Sequence, residues 1–116
     1  MTINRLETFR GNAFTVSKKL NYDITGFNIR AELYDSAGLF VRKGSSGVTN
    51  GADAQILITN ATLGSFEIYF ENNDTDGFAD LAWLEIQTEA VSGEKSTVAL
   101  ESVLIKDSRI TWSDLP

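Results

Sequence analysis

Two stretches of this chain carry an apolar residue at every second position. Phe27, Ile29, Ala31 and Leu33 alternate with Asn28, Arg30, Glu32 and Tyr34, and Phe66, Ile68 and Phe70 alternate with Ser65, Glu67, Tyr69 and Glu71. A strand turns successive side chains to opposite faces, so period two predicts strands with one buried and one solvated face. Each large apolar side chain buried contributes roughly 1.5–3 kcal/mol. A one-residue slip in pairing would move a whole row into water, so the register is well specified.

Weaker alternation marks further strands at Ile3–Phe9, Ala13–Ser17, Leu39–Arg42, Ala54–Thr59, Leu81–Thr88, Ser96–Ile105 and Arg109–Trp112. Glycine- and Asx-rich turns separate them at short intervals, among them Arg10-Gly11-Asn12, Asn50-Gly51, Asp76-Gly77 and Ser92-Gly93-Glu94. Seven to nine short strands in one stretch of 1–116 predict a single all-β domain, an antiparallel two-sheet sandwich of immunoglobulin-like or jelly-roll-like kind. Its core is expected to hold Phe14, Phe27, Ile29, Leu33, Ile58, Phe66, Ile68 and Phe70, with Phe9 also on the core side. Ala79–Thr88 is apolar on both faces, which marks a central strand covered on both sides or a partner surface. The alternation changes phase between Leu100 and Val103, which a β-bulge near Glu101-Ser102 would explain. Thr59–Gly64 has room for one helical turn.

The chain has no cysteine and no histidine. Disulfides, Cys-based zinc sites, His-ligated metals and a Ser-His-Asp triad within one chain are therefore excluded. Ten basic against sixteen acidic residues give a net charge of −6. With no basic cluster longer than Lys18-Lys19 or Arg42-Lys43, this composition argues against nucleic-acid binding. No apolar run approaches a bilayer span, and the N-terminus lacks the apolar region of a signal peptide, so no membrane association is expected and synthesis in a cytoplasm is.

The sharpest chemical motif is Asn72-Asn73-Asp74-Thr75-Asp76-Gly77-Phe78-Ala79-Asp80. Oxygen side chains at 72, 74, 76 and 80 match part of an EF-hand-type calcium loop, but its twelfth position is Trp83 where a bidentate Glu is needed. Asn72, Asp74, Asp76 and Asp80 thus read as an Asx-rich hairpin loop, with a weak calcium site as the alternative; no cofactor is expected. Glu67, Glu71, Glu85 and Glu89 could hold a glycosidase pair, yet their spacing is also that of a solvated sheet face. Tyr34, Tyr69 and Trp83 lie on or near predicted polar faces and are candidates for a sugar platform or an interface. Trp112 and Leu115 either fold into the core with the last strand or dock onto a partner. Gly44-Ser45-Ser46-Gly47 lacks the lysine of a phosphate loop.

The opening resembles that of phage and prophage virion proteins, notably the N-terminal β-sandwich domains of baseplate upper proteins. The resemblance rests on Arg10-Gly11-Asn12-Ala13-Phe14-Thr15-Val16, on Tyr22-Asp23-Ile24-Thr25-Gly26, and on Arg30 with Leu33-Tyr34-Asp35-Ser36-Ala37-Gly38. Later segments match in layout more than in letters. These positions also have physical work: Gly11 and Gly26 can take positive φ, Asp23 and Thr25 can bond turn backbone, and Ile24 can plug the gap between strands. The resemblance implies a non-enzymatic structural component of a virion tail, baseplate or neck, made in the host cytoplasm. Its expected partners are other virion proteins and copies of itself. The rival expectation is a carbohydrate- or ligand-binding sandwich, aided by calcium if Asp74, Asp76 and Asp80 bind it.

Overall fold

The structure, a computed structural model, describes residues 5–45 and 53–107. The alternating segments form β1 (Arg5–Phe9), β2 (Phe14–Lys19), β3 (Asn28–Asp35), β4 (Phe40–Gly44), β5 (Ile56–Asn60), β6 (Ser65–Phe70), β7 (Leu81–Glu89) and β8 (Lys95–Lys106), with no helix among the described residues. They assemble into a five-stranded sheet, β1-β8-β7-β3-β4, and a three-stranded sheet, β2-β6-β5. The inner faces of the two sheets enclose one core, so the fold is an all-β sandwich. Ile29, Leu33, Phe66, Ile68 and Phe70 are fully buried, and Phe14, Phe27 and Ile58 are partly buried against them. Phe14 stacks on its cross-strand partner Phe70 with ring centroids 4.7 Å apart. Ile24 is fully buried, and Gly11 and Gly26 take φ of 81° and 80°.

Four sequence expectations need correction. The pairing is not wholly antiparallel, because β1 runs parallel to β8. A parallel pair needs a long connection, and here nearly the whole domain separates the two strands. The same register turns Leu6 and Thr8 inward and leaves Phe9 45 % exposed, outside the core. The irregularity in β8 comes earlier than Glu101: Ile86 pairs with Ala99 and Gln87 with Thr97, leaving Val98 without an opposite residue. The phase change at Leu100–Val103 has another cause. Glu101, Val103 and Ile105 all point inward, so a carboxylate occupies the core-facing row. Thr59 and Asn60 end β5, and Ala61–Gly64 is a hydrogen-bonded turn instead of a helical one, closed by the Gly64 N–H donating to the Ala61 carbonyl at 3.1 Å.

β7 lies in the middle of its sheet. It sends Ala82, Leu84 and Ile86 into the core, and Leu81 and Trp83 face outward with no described segment over them. The proposed strand Arg109–Trp112, with Trp112 and Leu115, lies outside the described residues.

Candidate functional site

The loop over residues 71–80 turns Asp74 and Thr75 inward and ties several of its oxygens to partners far away in sequence. Asp74 Oδ2 lies 2.7 Å from Lys43 Nζ and accepts the Glu71 N–H at 2.7 Å. Asp80 pairs with Arg10 at 2.9 Å, and Arg10 also donates to the Phe78 carbonyl at 2.9 and 3.2 Å and to Asp107. The hydrogen bond to Asp80 leads the interactions that raise the Arg10 pKa. Thr75 Oγ1 accepts the Gly11 N–H at 3.0 Å. Asn72 and Asp76 remain at the surface. The Arg10-Gly11 turn is thus seated on this loop, and two of the four candidate calcium ligands already face cations of the protein itself. Among the described residues, no group of three or more acidic side chains could hold a metal ion.

Two inward lysines were not foreseen. Lys43 on β4 has a side chain 0 % exposed, held by Asp74, by Gln55 and by Asp53 at 3.5 Å, with its ammonium 5.5 Å from the Phe70 ring centroid. Lys18 on β2 reaches across the sandwich to Glu101, whose side chain is 8 % exposed and whose Oε2 has no hydrogen-bond partner. Burying a charge is costly unless it is paired, and both are paired. Strand phase carried the signal: Lys43 follows the inward Val41 by two residues, Lys18 follows Val16, and Glu101 precedes Val103.

The outer faces of the two sheets differ. On the three-stranded sheet, Thr15, Ser17, Lys19, Ser65, Glu67 and Thr59 face out, and only Leu57 and Tyr69 are large and apolar. On the five-stranded sheet, cross-strand register lines up Trp83, Tyr34 and Phe40 in one row. Leu81 and Leu104 pair in the row on one side of it, and Leu100 opens the row on the other. The Tyr34 and Trp83 rings stack at 5.9 Å. The result is an aromatic and aliphatic band crossing β8, β7, β3 and β4. Ion pairs flank it, Lys106–Glu7 at 3.0 Å and Arg42–Glu32 at 3.4 Å, with Arg42 also 4.4 Å from the Phe40 ring centroid. Beside the band, Arg30, Glu32, Arg42, Glu85 and Gln87 line a shallow depression of about 320 Å³.

Charge on this face is nearly balanced. Arg30, Arg42, Lys95 and Lys106 offset Glu7, Glu32, Glu85 and Glu89, and the β1–β8 register adds Arg5 to the Trp83 row, five basic residues against four acidic, so the acidic excess behind the chain's net −6 lies elsewhere. Of the three aromatics singled out in sequence, the structure joins Tyr34 and Trp83 and places Tyr69 on the opposite side of the sandwich. The four glutamates divide likewise: Glu67 faces out from the three-stranded sheet, Glu85 and Glu89 from the five-stranded one, and Glu71 bonds Gln55 at 2.6 Å. Comparison with protein-family models and with curated proteins finds no match to this chain.

Proposed function

We propose that this chain is a non-enzymatic structural component of a phage or prophage virion, a tail, baseplate or neck module that works by packing against other proteins. One observation carries the packing half of this reading: the band of Leu81, Trp83, Tyr34, Phe40, Leu100 and Leu104 on a sheet face that none of the described segments covers. Contiguous exposed apolar surface with a polar rim is the usual anatomy of a protein interface. The virion half rests on the resemblance of the opening motifs. The test is a photo-cross-linking residue at position 100, on the band, and another at position 57, on the opposite sheet, in cells that produce the protein. Adducts from position 100 to proteins that co-purify with particles support the reading. Absence of the chain from purified particles, or equal labelling from both positions, overturns it.

A second reading is a carbohydrate- or ligand-binding module, favoured by the stacked Tyr34–Trp83 pair beside the polar depression. Aromatic faces stack on the apolar faces of sugar rings, and Arg, Glu and Gln side chains hydrogen-bond hydroxyls. Saturable glycan binding lost in Trp83→Ala would favour it over packing.

A further inference from the structure

We infer that the occupant of the outer face of the five-stranded sheet is a second copy of this chain, docked face to face about a two-fold axis. The inference rests on the packing reading above and adds the identity of the partner. Three observations point to a copy. The first is charge. Two molecules that each carry −6 repel wherever their acidic surfaces meet, whereas this face sets five basic residues against four acidic ones and carries none of the acidic excess. A two-fold interface sets one patch against itself, so it favours a patch with both signs interspersed. Here Arg42 and Glu32, and Lys106 and Glu7, alternate along the rims.

The second is area. Strands of 5, 12, 9, 8 and 5 residues for β1, β8, β7, β3 and β4, about 4.8 Å apart and rising about 3.3 Å per residue, present a footprint of roughly 600 Å² before side-chain relief. A stable interface needs about 800 Å² from each partner. The bare backbone footprint supplies about three-quarters of that before side-chain relief is added, and the apolar band runs through its middle. The third is asymmetry. The three-stranded sheet turns only Leu57 and Tyr69 outward among large apolar residues, against the six of the band, so the five-stranded face offers the larger apolar surface for contact. An interface with an apolar centre and charged rim places Trp83 and Tyr34 where binding energy concentrates.

The experiment is sedimentation velocity of the full chain across micromolar to sub-millimolar concentration, on the wild type, Leu100→Glu, Leu81→Lys and Leu57→Glu. All three substituted side chains are 40 % or more exposed, so each variant should fold, which circular dichroism checks. The expected result is a species of twice 12.7 kDa in the wild type and in Leu57→Glu. Leu100→Glu and Leu81→Lys should each weaken dimerisation at least tenfold. A monomer at every concentration overturns the inference, and so does a dimer indifferent to both band variants. The cross-link from position 100 separates this failure from that of the packing reading. An adduct with a different protein, together with a monomer in sedimentation, leaves packing standing and removes the second copy. No adduct and no dimer removes both.

Discussion

At the scale of single residues, the buried ammonium of Lys43 governs what the acidic loop can do. Asp74 is its nearest carboxylate at 2.7 Å, and the lysine is wholly enclosed. Removing Asp74 leaves the fully enclosed ammonium with only Gln55 and the more distant Asp53, whereas removing Lys43 leaves a carboxylate whose side chain is 12 % exposed and still accepts the Glu71 N–H, which costs less. Asp74→Ala is therefore expected to destabilise the domain by about 3–5 kcal/mol, and Lys43→Met by much less. Denaturant unfolding of the two variants checks this, and a larger loss in Lys43→Met would contradict it. Gly64 is a second such position. It sits at φ 74°, and a Cβ built there would lie 2.5 Å from the Tyr22 carbonyl oxygen and 2.6 Å from that of Leu20. Both obstacles are backbone, so nothing flexible can move aside. Gly64→Ala is expected to cost more than the roughly 1 kcal/mol typical of a point substitution, through strain and the displaced turn. Gly38→Ala also places a side chain at positive φ but meets nothing within 4 Å, and its melting temperature should fall less.

At the scale of elements, alternation carried most of the information. Ile68 is fully buried between β2 and β5, and its neighbour Glu67 faces out, as period two requires. Ile68→Ala should cost about 2–5 kcal/mol through the lost transfer energy and the cavity left behind. Glu67→Ala should stay within about 0.5 kcal/mol, as surface changes do. Equal losses in thermal or denaturant unfolding would show the faces of β6 to be misassigned. The same logic explains where sequence reading stopped short. Ile29, Leu33, Phe66 and Phe70 announce the core because hydrophobes in strict alternation have no other reading. Glu101 conceals its inward direction because a charge in the core-facing row looks like a break in the pattern. The resulting phase change suggested a bulge, whereas the unmatched residue is Val98, where no hydrophobic signal marks it. The parallel β1–β8 pair was illegible for a different reason. Nothing local records that the first and last described strands lie side by side, and that pairing is what puts Phe9 on the surface.

At the scale of the whole molecule, the loop over 71–80 is where distant segments meet, and this decides how the domain answers acid. Asp35 is buried at the end of β3 and accepts the N–H groups of Ala79 at 2.8 Å, Leu39 at 2.9 Å and Ala37 at 3.0 Å, so it fastens the β3–β4 turn to that loop. Arg10 fastens the β1–β2 corner to the same loop through Phe78 and Asp80. The sequence displayed the acids and the glycines but not these pairings, because the partners lie 44 to 70 residues apart. The outer band was half-legible in the same way: Trp83 and Tyr34 could each be placed on a polar face, but only cross-strand register brings them together. Hydrogen bonds to the charged form, first that from the Ala79 N–H, hold the Asp35 pKa below its ordinary value despite burial, and those from Thr25 do the same for Asp23. A carboxylate with a lowered folded pKa contributes stability above its unfolded value near ~3.9, and loses it as pH falls through the folded value. The melting temperature is thus expected to be nearly flat from about pH 7 to 5 and to drop below about pH 4. Asp35→Asn should be less stable at neutral pH, because its amide cannot accept all three N–H groups as a carboxylate does, and its acid slope should be shallower than the wild type's. Thermal melts of both proteins between pH 7 and 2.5 decide the matter; an identical acid slope would show that Asp35 does not couple these segments to pH.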